Sequence, residues 1–149
     1  MTITITITKA TVLDDVGRLT HYEGNKSDGN GEAFERISTK ETDADMLEQF
    51  WKAACESVTE AVKRFITSLT TTTNYVATLE VSSSYDTTLT ASIQTNLQNC
   101  VIFSIVSQWY KLTNKSEAGD YALQAAAQLN EAMSKIFYKK KPSRKSITY

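Results

Sequence analysis

The sequence predicts a mainly α fold: a small bundle of three long helices plus a short N-terminal helix, with a minor β element and extended terminal arms. Three observations lead there. Apolar residues recur at helical spacing through three long stretches that hold no proline, the chain's one proline being Pro142. Strict period-two alternation is confined to residues 2–8 and to a short stretch at 75–82. Glycine gathers in one place, with Gly24, Gly29 and Gly31 among Asn, Asp and Ser, so residues 23–38 read as a loop.

Each element follows from its residues. Residues 2–8, Thr-Ile-Thr-Ile-Thr-Ile-Thr, are β-branched throughout and place Ile3, Ile5 and Ile7 on one face of a strand. Such a repeat does not fix its own register, and a lone strand is not stable. It therefore needs a partner, and the alternating stretch from Tyr75 to Val81 is the one expected, in the same chain or in a neighbouring copy. Ile3, Ile5 and Ile7 thereby become candidate partner-binding residues of an arm acting by strand addition. A short helix is expected over 9–19, with Val12, Val16 and Leu19 on one side.

The first long helix is expected over 42–69. Thr42 stands at its cap, and Asp43 and Asp45 sit in the first turn, where the helix dipole favours acids. Met46, Leu47, Phe50, Trp51, Ala54, Cys55, Val58, Ala61, Val62, Phe65, Ile66 and Leu69 give it one broad apolar face. Glu60 and Arg64 have the spacing of an ion pair. A second helix is expected over 88–112, striped by Leu89, Ile93, Leu97, Val101, Ile105 and Trp109. Its stretch from Cys100 to Val106 is apolar nearly all round, which places it at the centre of a domain or between subunits. Asn114 and Glu117 match a capping box for the third helix, whose inner face is Ala118, Tyr121, Ala122, Ala125, Leu129, Ala132, Met133, Ile136 and Phe137. The domain reading is an arm at 1–8, a helical domain at 9–138 and a basic arm at 139–149.

Composition excludes several classes. With 41% hydrophobic and 22% charged residues the chain is an ordinary globular one, and no run approaches the ~20 apolar residues that cross a bilayer, so no membrane partner is expected. Two cysteines do not build a disulfide framework or a four-thiolate zinc site, and one histidine excludes multi-histidine metal sites. No secretory signal is read at the N-terminus. Asp28, Asn30 and Glu32 lack the spacing of a calcium loop, and Gly29-Asn30-Gly31 is too little for a phosphate loop. His21 stands at a loop edge with no nucleophile to serve. Cys55 and Cys100 fall on apolar faces and read as buried structural thiols. Trp51, Trp109, Tyr110 and Phe50 read as core rather than as a base-stacking platform. No catalytic, cofactor-binding or metal-binding residues are assigned, and no enzyme is expected.

Charge is uneven. The net charge is −1, yet residues 139–149 hold five of the 16 basic residues (Lys139, Lys140, Lys141, Arg144 and Lys145) and no acid. The tail thus carries +5, and the rest, with 11 basic and 17 acidic residues, carries −6. A basic tail on an acidic body reads either as a solvated tail that keeps the protein soluble or as a match for the acidic face of a protein neighbour. Five charges alone give only weak, salt-sensitive binding to nucleic acid.

The order of these elements resembles a known family. The helix Glu41-Thr-Asp-Ala-Asp-Met-Leu-Glu-Gln-Phe-Trp-Lys-Ala-Ala-Cys is followed by a short β excursion. Two helices follow, Gln94-Thr-Asn-Leu-Gln-Asn-Cys-Val-Ile-Phe-Ser-Ile-Val-Ser-Gln-Trp-Tyr and Ala118-Gly-Asp-Tyr-Ala-Leu-Gln-Ala-Ala-Ala-Gln-Leu, and then the arm Tyr138-Lys-Lys-Lys-Pro-Ser-Arg-Lys. Layout and wording resemble the small head–tail connector (adaptor, neck) proteins of tailed bacteriophages, most of all those of Bacteroidetes phages and prophages, over most of residues 9–145. The Ile/Thr strand at the N-terminus is a departure from the simplest members. The resemblance implies a structural virion protein at the head–tail junction, present in the host cytoplasm during assembly. It implies a ring homo-oligomer, usually a dodecamer, below the portal protein. Such a ring extends the channel through which DNA passes without sequence-specific binding, and it is the platform for tail or neck proteins. An acidic body suits a channel that must not hold DNA. Another neck or tail-completion protein is the alternative within that class. A small helical nucleic-acid-binding or regulatory module using the basic tail is the alternative outside it.

Overall fold

A computed structural model describes residues 1–26 and 37–143. The described residues form four helices and one three-stranded antiparallel sheet. In chain order these are β1 (Thr2–Ile7), α1 (Lys9–Lys26), α2 (Ala44–Val62), β2 (Ile66–Thr70), β3 (Tyr75–Glu80), α3 (Thr90–Thr113) and α4 (Lys115–Ile136). Single 3-10 turns precede α2 and α3, and a third links α2 to β2. The mainly α class with a minor β element is what the sequence predicts.

The N-terminal strand pairs inside its own chain. β1 lies antiparallel to β3 with Ile3 opposite Leu79, Ile5 opposite Ala77 and Ile7 opposite Tyr75. These six side chains share the inner face of the sheet and all are buried, Ile5 and Ile7 completely. The expected pairing with residues 75–81 is made within the chain, and Ile3, Ile5 and Ile7, expected as partner-binding residues of an arm, are core here. The register that the repeat alone leaves open is fixed at its ends. The Lys9 N–H donates to Asn74 Oδ1 at 3.1 Å, the Val81 N–H donates to the Met1 carbonyl at 2.8 Å, and the terminal ammonium meets Glu80 Oε1 at 2.8 Å. A two-residue slip keeps the isoleucines inward but breaks all three.

The first long helix is shorter than its apolar periodicity suggests. α2 ends at Val62, and the chain turns at Lys63–Phe65 into β2, an edge strand the sequence does not announce. Ile66 to Thr73 is rich in β-branched residues, and β3 offers a free edge, so tertiary pairing overrides helical continuation. The ladder is irregular at Thr67, between the pairs Ile66–Leu79 and Ser68–Thr78, and the Thr67 hydroxyl donates to the Thr78 carbonyl at 3.2 Å. Glu60 and Arg64 do not pair. The Arg64 guanidinium instead lies 5.1 Å from the ring centres of both Phe65 and Phe137. Asp43, not Thr42, precedes α2, and its carboxylate accepts from the Lys40 N–H at 2.8 Å rather than capping forward. α1 runs past Leu19 because Thr20 is buried and usefully bonded: its hydroxyl donates to the Gly17 carbonyl and accepts from the Thr39 N–H. The part of the expected glycine loop at 27–36 lies outside the described residues.

α3 is the axis of the molecule. It contacts α1, α2, α4 and β1. Ile93, Leu97, Val101, Ile105, Val106 and Tyr110 are each at most 1% exposed, so the apolar stripe expected from the sequence is buried along its length. Asn114 is the single residue between α3 and α4, and the two helices return antiparallel, with Ser107 Oγ donating to the Ala118 carbonyl at 2.9 Å. Asn114 offers no side-chain cap to the backbone, so the expected capping box is not formed. α4 ends at Ile136. Phe137, expected on its inner face, is 52% exposed and packs edge-on against Phe65.

Burial depth sets an expected outcome. Ile5→Ala, at a fully buried site, should cost about 2–5 kcal/mol in urea unfolding, while Leu69→Ala on the exposed β2 edge should cost under ~1 kcal/mol. Equal losses would mean that β1 is not part of the core.

Candidate functional site

The chemistry-bearing residues singled out by sequence do not converge. Cys55 and Cys100 are both free and buried. Burial, reinforced by the neighbouring Glu48 and Glu56 carboxylates, pushes the Cys55 thiol up to about 12, and burial also raises Cys100. Neither is an activated thiolate. His21 Nε2 lies 3.2 Å from the Thr39 carbonyl at the surface. Trp109 is buried, and its indole N–H donates to the Ile37 carbonyl at 2.6 Å, which ties the segment before α2 to α3. Trp51 and Tyr110 are buried as well, and Phe50 is half-buried, so none of the four forms a stacking platform. Among the described residues no group of three or more His, Cys, Asp or Glu side chains is placed to hold a metal ion, and no helix is long and apolar enough to cross a membrane. Asp28, Asn30, Glu32 and the Gly29–Gly31 pair lie outside the described residues.

The basic tail begins as an anchored segment. Lys139 forms an antiparallel bridge with Tyr85, the Lys140 N–H donates to the Ser84 carbonyl at 2.8 Å, and the Asp86 N–H donates to the Tyr138 carbonyl at 3.1 Å. The Lys139, Lys140 and Lys141 side chains are exposed. Arg144 and Lys145 lie outside the described residues. Next to the anchor, Asp86 Oδ1 accepts both the N–H and the hydroxyl of Thr88, and these bonds hold its carboxyl below the usual range.

Sequence reasoning missed a polar network centred on the buried Asn96. Lys135 Nζ on α4 donates to Ser92 Oγ and Asn96 Oδ1 on α3, both at 2.7 Å. Asn96 Nδ2 in turn donates to Gln128 Oε1 at 2.7 Å and Glu131 Oε2 at 2.9 Å. Asn96 is 6% exposed and uses one acceptor and two donors here. The signal was present, since Asn96 stands between Ile93 and Leu97 on the apolar stripe, and Gln128, Glu131 and Lys135 share one face of α4. The network fixes the register of the α3–α4 pair.

A second unexpected group is Tyr110. Its side chain is fully buried edge-on to Tyr121, with ring centres 5.3 Å apart, and its hydroxyl has no hydrogen-bond partner. Burial raises its ionisation above the ordinary tyrosine range, with Tyr121, Glu23 and Glu117 acting in the same direction.

Two of the surface grooves among the described residues bear on contact surfaces. One, of about 270 Å³, lies over α3 between α2 and α4, and small or uncharged side chains line it except at Lys111: Phe50, Ala53 and Ser57 on one side, Ala122, Ala126 and Leu129 on the other. Ala122, expected in the core, is therefore exposed at its wall. The other groove, of about 570 Å³, lies between α2 and the β2 edge and includes Trp51, Cys55, Glu56, Thr59, Glu60 and Leu69. Leu112, Leu123 and Met46 add exposed apolar area on the helices.

No protein-family model, curated protein or solved structure matches the chain.

The thiol environment gives a pH prediction. A group whose folded-state pKa is raised contributes stability that is complete below its unfolded value and is lost as pH rises. For Cys55 the loss runs from about pH 9 towards about 12. The urea midpoint should fall over that window, with Tyr75, Tyr110 and Tyr121, also raised, contributing to it. Cys55→Ala should make the decline shallower, and an identical pH slope in the variant would refute the assignment.

Proposed function

We propose that the chain is a structural assembly protein, a head–tail connector of a tailed bacteriophage that forms a ring below the portal protein. In this reading it extends the DNA channel, receives tail or neck proteins, and acts in the virion neck after assembly in the host cytoplasm. It is not an enzyme. The observation that carries the reading is the layout: a long helix, a short β excursion, two antiparallel helices and a basic tail. The shape of the helical layer supports it. α3 is covered on the sheet side and by α2 and α4, while the uncharged groove between those two helices and the exposed Leu112 and Leu123 leave apolar surface for a neighbouring copy. The acidic body suits a lumen that repels the phosphates of passing DNA.

A nucleic-acid-binding or regulatory module is the second reading, favoured by the exposed run Lys139–Lys141 held beside Tyr85. The two readings separate in one experiment. Purified protein is measured by light scattering and negative-stain microscopy alone and with a phage portal ring, and by DNA retardation at physiological salt. The connector reading expects rings, or subunits recruited to the portal, with little DNA retardation. A monomer indifferent to the portal that retards DNA, and loses this when Lys139, Lys140 and Lys141 are neutralised, would replace it with the module.

A further inference from the structure

The two edges of the sheet are treated differently. At β1 the outward Thr6 N–H is taken by Gln94 Oε1 of α3 at 3.2 Å, and α3 packs against that strand. At β2 four of five residues are exposed, and among the described residues no strand pairs with its outer edge. Open edges of this kind are templates for strand addition unless something covers them. The register puts Leu69 opposite Ala77, on the core-facing side, yet Leu69 is 39% exposed because the groove between β2 and α2 lies beneath it. An extended segment laid along β2 would continue the ladder and send every second side chain into that groove.

We propose that this seat takes the C-terminal segment of a second copy, residues 143–149, Ser-Arg-Lys-Ser-Ile-Thr-Tyr. The proposal rests on the assembly reading above for its premise that another copy lies alongside. Charge argues for this occupant: exposed Glu56 and Glu60 outnumber Lys52 along the groove, and residues 143–149 carry Arg144 and Lys145 and no acid. Side-chain alternation argues for it too. In an extended segment Lys145, Ile147 and Tyr149 fall on one face, which matches apolar Trp51 and Leu69 beside the two carboxylates. The chain's own tail is held at Lys139 and Lys140 beside Tyr85 and Ser84, so the seat is assigned to the tail of a neighbouring copy.

The test is fluorescence anisotropy of a labelled peptide of residues 139–149 titrated into the full chain at low salt. Saturable binding below about 1 mM is expected. Glu56→Lys with Glu60→Lys should weaken it about tenfold or more, since two attractions become repulsions. A peptide with all five bases changed to Glu should fail on the natural chain and bind the double variant, a recovery that a misfolded variant would not give. Ile147→Asp in the peptide should also weaken binding. No binding by about 1 mM, equal affinity for the double variant, or indifference to Ile147→Asp overturns the seat. A chain that assembles on a portal ring yet fails the titration keeps the connector reading and loses this proposal. A chain that binds the peptide but ignores the portal does the reverse.

Discussion

The burial of α3 is the constraint on which the rest of this structure depends. A helix whose Cys100–Val106 stretch is apolar on nearly every side has no stable solvent-facing orientation there, so the remaining elements have to enclose it. α4 folds straight back across Asn114, α2 covers a second side, α1 a third, and β1 brings the sheet against what remains. The sheet is small and would be marginal alone, and the isoleucine face of β1 is stable because it joins this shared core.

A core built from aliphatic side chains specifies volume better than register. The polar groups supply the register. Asn96, Ser92 and Lys135 accept one alignment of α3 against α4, because a shift by a turn strands a buried amide or an ammonium without partners. The Trp109 indole does the same for the segment at Ile37, and Asn74 with Glu80 does it for the Ile/Thr repeat. Tyr110 is the exception, a buried hydroxyl without a partner, tolerated where its ring fills space against Tyr121.

The surface divides into parts with different physical character. The faces of α2 that meet solvent away from α4 carry Lys52, Glu56 and Glu60, whereas its wall towards α4 is Phe50, Ala53 and Ser57. One edge of the sheet is closed by α3, and among the described residues no strand pairs with the other. The groove over α3, the outer side of β2 and the segment Lys139–Lys140 held beside Tyr85 and Ser84 are separate features of this surface.

Local pattern by itself determined the helical class, the existence of four helices, the strand pair formed by the Ile/Thr repeat and residues 75–80, and the burial of Cys55, Cys100, Trp51 and Trp109. Periodicity records which side of an element is apolar, and that information is local. Tertiary structure decided the rest. It ended α2 at Val62, because the free edge of β3 could pair with a β-branched run that reads equally as helix. It turned Ile3, Ile5 and Ile7 from an arm into core, since alternation says that a strand needs a partner without saying which chain supplies it. It assembled the Asn96 network from residues more than thirty positions apart. It also exposed Ala122 and Phe137, because an apolar face is wider than the neighbour that covers it, and only the packing of whole helices sets where that cover ends.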